Sequence, residues 1–525
     1  MTNLRRIAIA ASAVAAFAAL PTVASAADGP CYSPPSKPKV ISHVKYSGMQ
    51  SILYCFGPMT IKPGQNTIEF PVSNLHPNVP GWITRFDPDF IYADPKKGTK
   101  GVPSVDVLHL HHAVWIFQGE GGPRWASGEE KTVIQLPKGF GWRNDPSKTV
   151  IVNNMIHNLF PTTEHVYLTW RIDFVPDTSA DASKIVEAKT LWMDTAGFAA
   201  YPVFNALRQF GTAGKFTFPD DVSKISNPTL KSAETAKIGR AQSFTVPSTG
   251  MTLMGTIGHL HPGGLNTKLK VTRNGVTKTL FTSEAKYWEP AGAVSWDVAM
   301  TATPSTWRIK LKPGDVISTN ATYDVSKASW YESMGIMPVS VHYGTSVPGV
   351  DPFASGAKWP TTGAITHSHL AENNHHGGKT VQYPVVTGLP NGTNVTGGTV
   401  GINNFVTQYG DMSNTGSTLN PPTVARGQSF TFQNNDSTSN ALTDYIFHTI
   451  TACAAPCNKE TGIAYPLANG PQEFDSGELG YGMSGLTPTE NRKTWSTPNT
   501  LPVGTYTYFC RIHPYMRGAF RVTAS

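Results

Sequence analysis

The chain has 525 residues, a formal net charge of +7 and five cysteines. That length is too great for one domain and fits several of ordinary size behind a short leader. No basic run with interleaved aromatics is present, which leaves nucleic-acid binding without support, and no stretch beyond the leader is long and apolar enough to span a membrane. Sparse charge with plentiful Gly, Pro, Thr and Val is the composition of an exported all-β protein.

The leader comes first. Arg5 and Arg6 precede an apolar run from Ile7 to Leu20, and Ala24-Ser25-Ala26 follows. This pattern predicts a secretory signal cleaved after Ala26, and so an exported location, periplasmic or secreted. The rest of a twin-arginine motif is absent.

The first block is expected over 27–228. It holds period-two runs such as Thr149–Val152 and His165–Trp170, which predict strands. Helical periodicity is hard to find, with one candidate near Ala199–Phe210. A second block is expected over 236–350, with the run Lys268–Thr272 and turns at Asn274-Gly275 and Pro313-Gly314-Asp315. A Gly- and His-rich connector over 351–397 carries His367, His369, His375 and His376. It reads as a polar linker, although its histidines are also able to bind a metal. The third block, 398–525, opens with the strand-like Gly398–Ile402. The expected architecture is all-β: two antiparallel, jelly-roll-like β-sandwiches followed by a smaller Greek-key domain.

Five is an odd number of cysteines, and export favours disulfides. Cys31 and Cys55 are expected to pair, and Cys453 and Cys457 could close a small loop. Cys510 is then left over. A lone thiol in an oxidising compartment needs protection, which coordination to a metal supplies.

The histidines are grouped. His109, His111 and His112 lie in Val107–Trp115, and His157 lies in Asn153–Asn158. His259 and His261 form a His-x-His pair that puts both rings on one face if the segment is a strand. The turn-forming Pro262-Gly263-Gly264 follows at once, so a turn is the other reading. Met334 and Met337 precede His342. Near the C-terminus, Cys510-Arg511-Ile512-His513-Pro514-Tyr515-Met516 follows the strand-like Tyr506–Phe509. A thiolate, an imidazole and a thioether this close together are a soft ligand set that suits copper in single-electron chemistry. A blue-copper site needs one more imidazole, and His448, at the end of Tyr445–Phe447, offers it.

The segment 398–525 resembles a cupredoxin of the amicyanin and pseudoazurin type. The resemblance implies His448, Cys510 and His513 as equatorial ligands and Met516 as the axial ligand of a type 1 copper. The order of the upstream pieces, from Val105 to Tyr343, resembles the ascorbate-dependent type II copper monooxygenases, the peptidylglycine and dopamine β-monooxygenase family. That likeness implies two further, type 2-like coppers. One would be held by His111, His112 and His157, the other by His259, His261 and Met334, with catalysis at the second. It also implies hydroxylation of a C–H bond with O2. His109 is an extra imidazole that could substitute in the first set, and Met337 is an alternative to Met334.

The departures from the family bear on substrate. Ile257 stands where the amidating enzymes have an Arg that holds the substrate carboxylate. Ile336 and Pro338 stand where they have Asn and Tyr. Peptide amidation is not expected, and the organic substrate is unassigned. The blue-copper domain is expected to supply electrons from an external donor, a small reductant or a redox protein. The reading from a different class is a non-enzymatic exported copper protein that needs only the Cys510 site. Multicopper oxidases and nitrite reductases place a His beside the blue-site Cys, whereas Phe509 and Arg511 flank Cys510 here.

Overall fold

The computed structural model describes residues 44–66, 68–98, 101–105, 107–160, 162–197, 202–238, 243–287, 296, 298–326, 329–366, 386–413, 419–437, 446–452, 474–477, 479–480, 492–513 and 516–524. The expected leader, Cys31, Cys453, Cys457 and the four connector histidines lie outside them. The described chain is all-β and multidomain. No described helix is long and apolar enough to cross a membrane.

The period-two runs fold as strands. Thr149–Val152 enters the strand Val150–Asn158, His165–Trp170 lies in Glu164–Pro176, and Lys268–Thr272 lies in Gly264–Arg273. Asn274-Gly275 closes a two-residue hairpin, pairing Arg273 with Val276. Both turn residues have positive φ, 51° and 77°, the twist that matches right-handed strands. The helical expectation near Ala199–Phe210 is corrected. The described part is a short strand, Phe204–Ala206, and one turn of 3₁₀ helix. An α-helix lies instead at Pro228–Ile238. It starts on a proline, which is pre-organised for the first helical position. Its Glu234–Lys237 ion pair at 2.6 Å and the Asn205 N–H bonded to Glu234 tie it down. A largely polar helix of this kind gives little apolar periodicity to read.

One large sheet joins the first two blocks. Its central path runs Gln50–Ile61, Glu164–Pro176, Gly81–Tyr92, Phe140–Asn144, Val186–Asp194, Gly335–Tyr343, Met251–Thr256 and Ile309–Leu311. The strand Val186–Asp194 makes the join, parallel to Phe140–Asn144 and antiparallel to Gly335–Tyr343. The first core packs Trp115, Trp125, Trp142 and Trp170 with Phe86, Phe90 and Phe174. A second sheet of the middle block includes Val316–Asp324, Gly264–Arg273, Val276–Tyr287 and Val298–Ala302. Ala364–Thr366, from the segment read as connector, adds a strand to its edge.

The C-terminal unit is a sandwich of two four-stranded sheets. One contains Thr399–Asn403 and Thr431–Asn434, the other Gly504–Phe509 and Arg517–Thr523. Its core of Val400, Phe430, Phe432, Tyr508 and Phe520 also takes in Leu159, with Phe160 packed alongside, from the first block. In return, Phe509 packs into the core of the middle block. Arg511 donates to the Ser329 carbonyl at 2.8 Å and pairs with Asp475 at 2.9 Å. The small domain is therefore docked against both sandwiches by apolar burial and one bridging guanidinium.

Candidate metal centres

The C-terminal site is built at one end of the small sandwich. Cys510 directly follows the strand Gly504–Phe509, and Met516 precedes the strand Arg517–Thr523. Backbone bonds tie the two ends together: Met516 N–H donates to the His513 carbonyl at 2.8 Å, and Cys510 N–H to the Met516 carbonyl at 3.0 Å. His448 Nδ1 lies 3.2 Å from His513 Nδ1, and Cys510 Sγ lies 3.6 Å from His513 Nδ1. His448, Cys510 and His513 form the one group of His, Cys, Asp and Glu among the described residues whose ligand atoms all lie within 4.8 Å of one another. All three are buried, as is Met516, which lines a small cavity with Cys510.

The electrostatics favour a metal-bound thiolate. Sγ accepts backbone N–H groups from Thr449 at 3.2 Å and His513 at 3.3 Å. Burial by itself raises the Cys510 pKa, but His448 and these two donors outweigh it and the thiol is pulled down. His448 moves the other way. Burial opposes its charge, yet the bond to Asp436 and the Cys510 sulfur push it up to about 9. His448 Nε2–H donates to Asp436 Oδ2 at 2.9 Å, which leaves Nδ1 on the side of Cys510 and His513, free to face a metal. Asp436 is itself held by the N–H groups of Asn404 and Phe405. Two imidazoles, a thiolate and a thioether lining the same small cavity, all buried, are a donor set that fits copper. Asp436→Asn should weaken copper retention by roughly 10–100-fold while leaving a blue protein, because the ligands stay but their orienting charge goes. Copper competition titration would check this, and unchanged affinity would remove Asp436 from the site.

The upstream histidines owe their shared face to a defect in a strand. In Leu108–Phe117, a β-bulge falls between Leu110 and His112 in the pairing with Val150–Asn158. Before it, Leu108 and Leu110 face the core. After it, Ala113, Trp115 and Phe117 do. The bulge shifts the alternation by one, so His109, His111 and His112 all lie on the opposite face. The partner strand sends Val150, Val152 and Ile156 to the core, and so presents Asn153, Met155 and His157 on that same face. The Leu110 N–H, next to the bulge, is taken by Glu129 at 2.8 Å. Glu129 in turn pairs with the buried Lys131.

The middle block covers this face. His259 begins a two-residue strand with Leu260, paired to Gly335 and Ile336. His261 starts the turn, where Gly263 has φ 90° and lies against the Trp330 indole with no room for a Cβ. His259 Nδ1–H donates to Glu130 at 3.1 Å, leaving Nε2 with no hydrogen-bond partner. His261 Nε2 has none either. The Tyr323 hydroxyl joins His261 to Met334: it accepts both their N–H groups at 3.1 Å and donates to the Met334 carbonyl at 2.6 Å.

Some expected ligands come together and others do not. His111 Nδ1 and His112 Nδ1 lie 3.4 Å apart. His111 and His261, from different expected sets, have ring centroids 4.6 Å apart, so the two sets adjoin. His259 and His261 are 5.4 Å apart. Trp296 packs against His109, His111 and His261 at 4.6–4.9 Å. His157 pairs across the ladder with His109, and its Nε2 lies 3.2 Å from His513 Nε2. Burial and neighbouring imidazoles hold His109, His111 and His261 well below the usual histidine range. Burial is also the main cause that lowers His112 to about 4 and His157 to about 3. Neutral buried imidazoles with spare nitrogens are chemically fit to bind metal.

Glu130, Trp296, Tyr323 and Asp436 were not singled out by sequence. Glu129-Glu130-Lys131 is a charge run in a charge-poor chain and offered a local signal. The other three offered none.

A scan of protein-family models finds no match, and neither does a search of curated proteins. Among solved structures, the chain is similar to a copper(I) amicyanin variant at 17% identity and TM-score 0.14, covering 27% of this chain and 92% of that one. It is also similar to a copper-containing nitrite reductase from Thermus scotoductus at 15% identity and TM-score 0.15, covering 52% and 55% of the two chains. A glycosylasparaginase from Flavobacterium meningosepticum matches at 9% identity and TM-score 0.26, covering 57% and 98%. These scores are too low for any of the three to contribute a residue role or an activity.

Proposed function

We propose that this chain is an exported copper-dependent monooxygenase that hydroxylates a C–H bond of an organic substrate with O2, and that its C-terminal type 1 copper passes it electrons from an external donor. The observation that carries this reading is the buried imidazole face. Histidines from two separate segments converge there, two of them with unpartnered Nε2 atoms, next to a second, thiolate-based site. The bulge supplies His111 and His112 with a third imidazole beside them. His259, His261 and Met334 supply the second set. Copper bound there would provide single-electron chemistry toward O2.

The chain's own residues do the rest. Glu130 orients His259, and Tyr323 fixes His261 relative to Met334. Trp296 packs on three of the rings. Ile257 is buried and uncharged, so it offers nothing to a substrate carboxylate. Export also accounts for the expected Cys31–Cys55 and Cys453–Cys457 disulfides, and Cys510 is the free cysteine among the described residues.

A second reading, a non-enzymatic copper electron carrier, is favoured by the tight grouping of the Cys510 site alone. Metal counting with paramagnetic resonance separates the two. A monooxygenase of this kind should hold at least two non-blue coppers beside the blue one. A protein that binds a single copper tightly would leave only the electron carrier.

A further inference from the structure

We infer that His157 is the electron bridge between the type 1 copper and the upstream imidazole face, and that His109, not His157, completes the copper set of His111 and His112. This rests on the proposed copper sites above. His513 uses Nδ1 toward Cys510 and His448, so a copper held there occupies that nitrogen. A neutral imidazole bound through Nδ1 carries its proton on Nε2. His513 Nε2 lies 3.2 Å from His157 Nε2, with both rings buried. One proton fits in that contact, and His513 brings it. His157 Nε2 must accept, so the neutral His157 ring carries its own proton on Nδ1. A ring in that state has no lone pair left for copper.

His109 is the remaining candidate on the same face. It is fully buried, with one ring nitrogen facing the Val105 backbone and the other left over, and it packs between His157 at 5.0 Å and Trp296 at 4.8 Å. The path is then short and continuous: Cys510 site, His513, His157, His109. It replaces the through-chain route that a His beside the blue-site Cys would have given. In balance, one electron leaves a reduced type 1 copper and is gained by an oxidised upstream copper. The electron entered from an external one-electron reductant, and no bond breaks and no proton is transferred in the step.

The test uses the full copper-loaded chain without O2. Substoichiometric one-electron reductant should bleach the blue band, which should recover as the non-blue paramagnetic signal falls. The rate of recovery should be independent of protein concentration. His157→Phe should keep the wild-type copper count and blue spectrum but lose the fast recovery. His109→Ala should lose one non-blue copper. Loss of a copper in His157→Phe, full copper in His109→Ala, or recovery that is as fast without His157 would each overturn the inference. If His157→Phe fails to fold, the wild-type rate decides: recovery that scales with protein concentration means transfer between molecules and removes the bridge. Wild-type protein with the blue copper alone would instead sink the monooxygenase reading on which the inference rests.

Discussion

Cys510→Ser should abolish the blue absorption band completely, because the band requires a thiolate bound to copper. The buried site would keep two imidazoles and a thioether, and the serine hydroxyl would still accept the Thr449 and His513 N–H groups. The apo-protein should therefore fold. What disappears is the stabilisation that copper confers by binding the native state. At copper a hundred-fold above its dissociation constant, that term is about 2.7 kcal/mol. Calorimetry should show a large gap between apo and copper-loaded melting temperatures in the wild type, mostly closed in the variant. Turnover with the natural reductant should fall with it. A variant that turns over at the wild-type rate would mean the small domain does not feed the upstream coppers.

The second large effect is expected at His261. Its ring touches His111 and Trp296, its Nε2 is unpartnered, and its backbone N–H is held by Tyr323. His261→Ala should remove one non-blue copper and reduce substrate-dependent O2 consumption by more than the roughly 10–100-fold typical of changes behind a ligand. Glu130→Gln provides the comparison. It keeps the His259 ring but weakens its orienting bond, and its cost should fall inside that range. Full copper content and full rate in His261→Ala would exclude the His-x-His pair from the catalytic site.

Legibility followed sequence distance. Cys510, His513 and Met516 lie on one strand end and its turn, so their spacing carried the site almost entirely. His448 was recognisable by its apolar lead-in, although it sits not in a strand but at an isolated bridge to Leu479, just before the strand Thr451–Ala452. The all-β character was equally readable, since alternation marks strands locally. Upstream, the residue types were visible but their neighbourhoods were not. His111 meets His261, and His157 meets His513, only because separate blocks pack face to face, and no local pattern encodes that packing. Glu130 and Asp436 act by orienting another ring, a role that leaves no spacing signature. The helix Pro228–Ile238 escaped for a different reason: it is largely polar and offered no apolar stripe.

The bulge in Leu108–Phe117 implies something about how this surface was assembled. An added residue normally damages a strand, because everything after it changes sides. Here the second half of the strand has the core residues in the shifted register, so the addition puts one extra imidazole on the opposite face. Removing His111 alone would restore regular alternation with Ala113, Trp115 and Phe117 still facing inward. The same sandwich would remain, one imidazole poorer. The number of imidazoles on this face and the integrity of the sandwich are thus separable at a single position, and a chain could gain or lose one such ring by one codon.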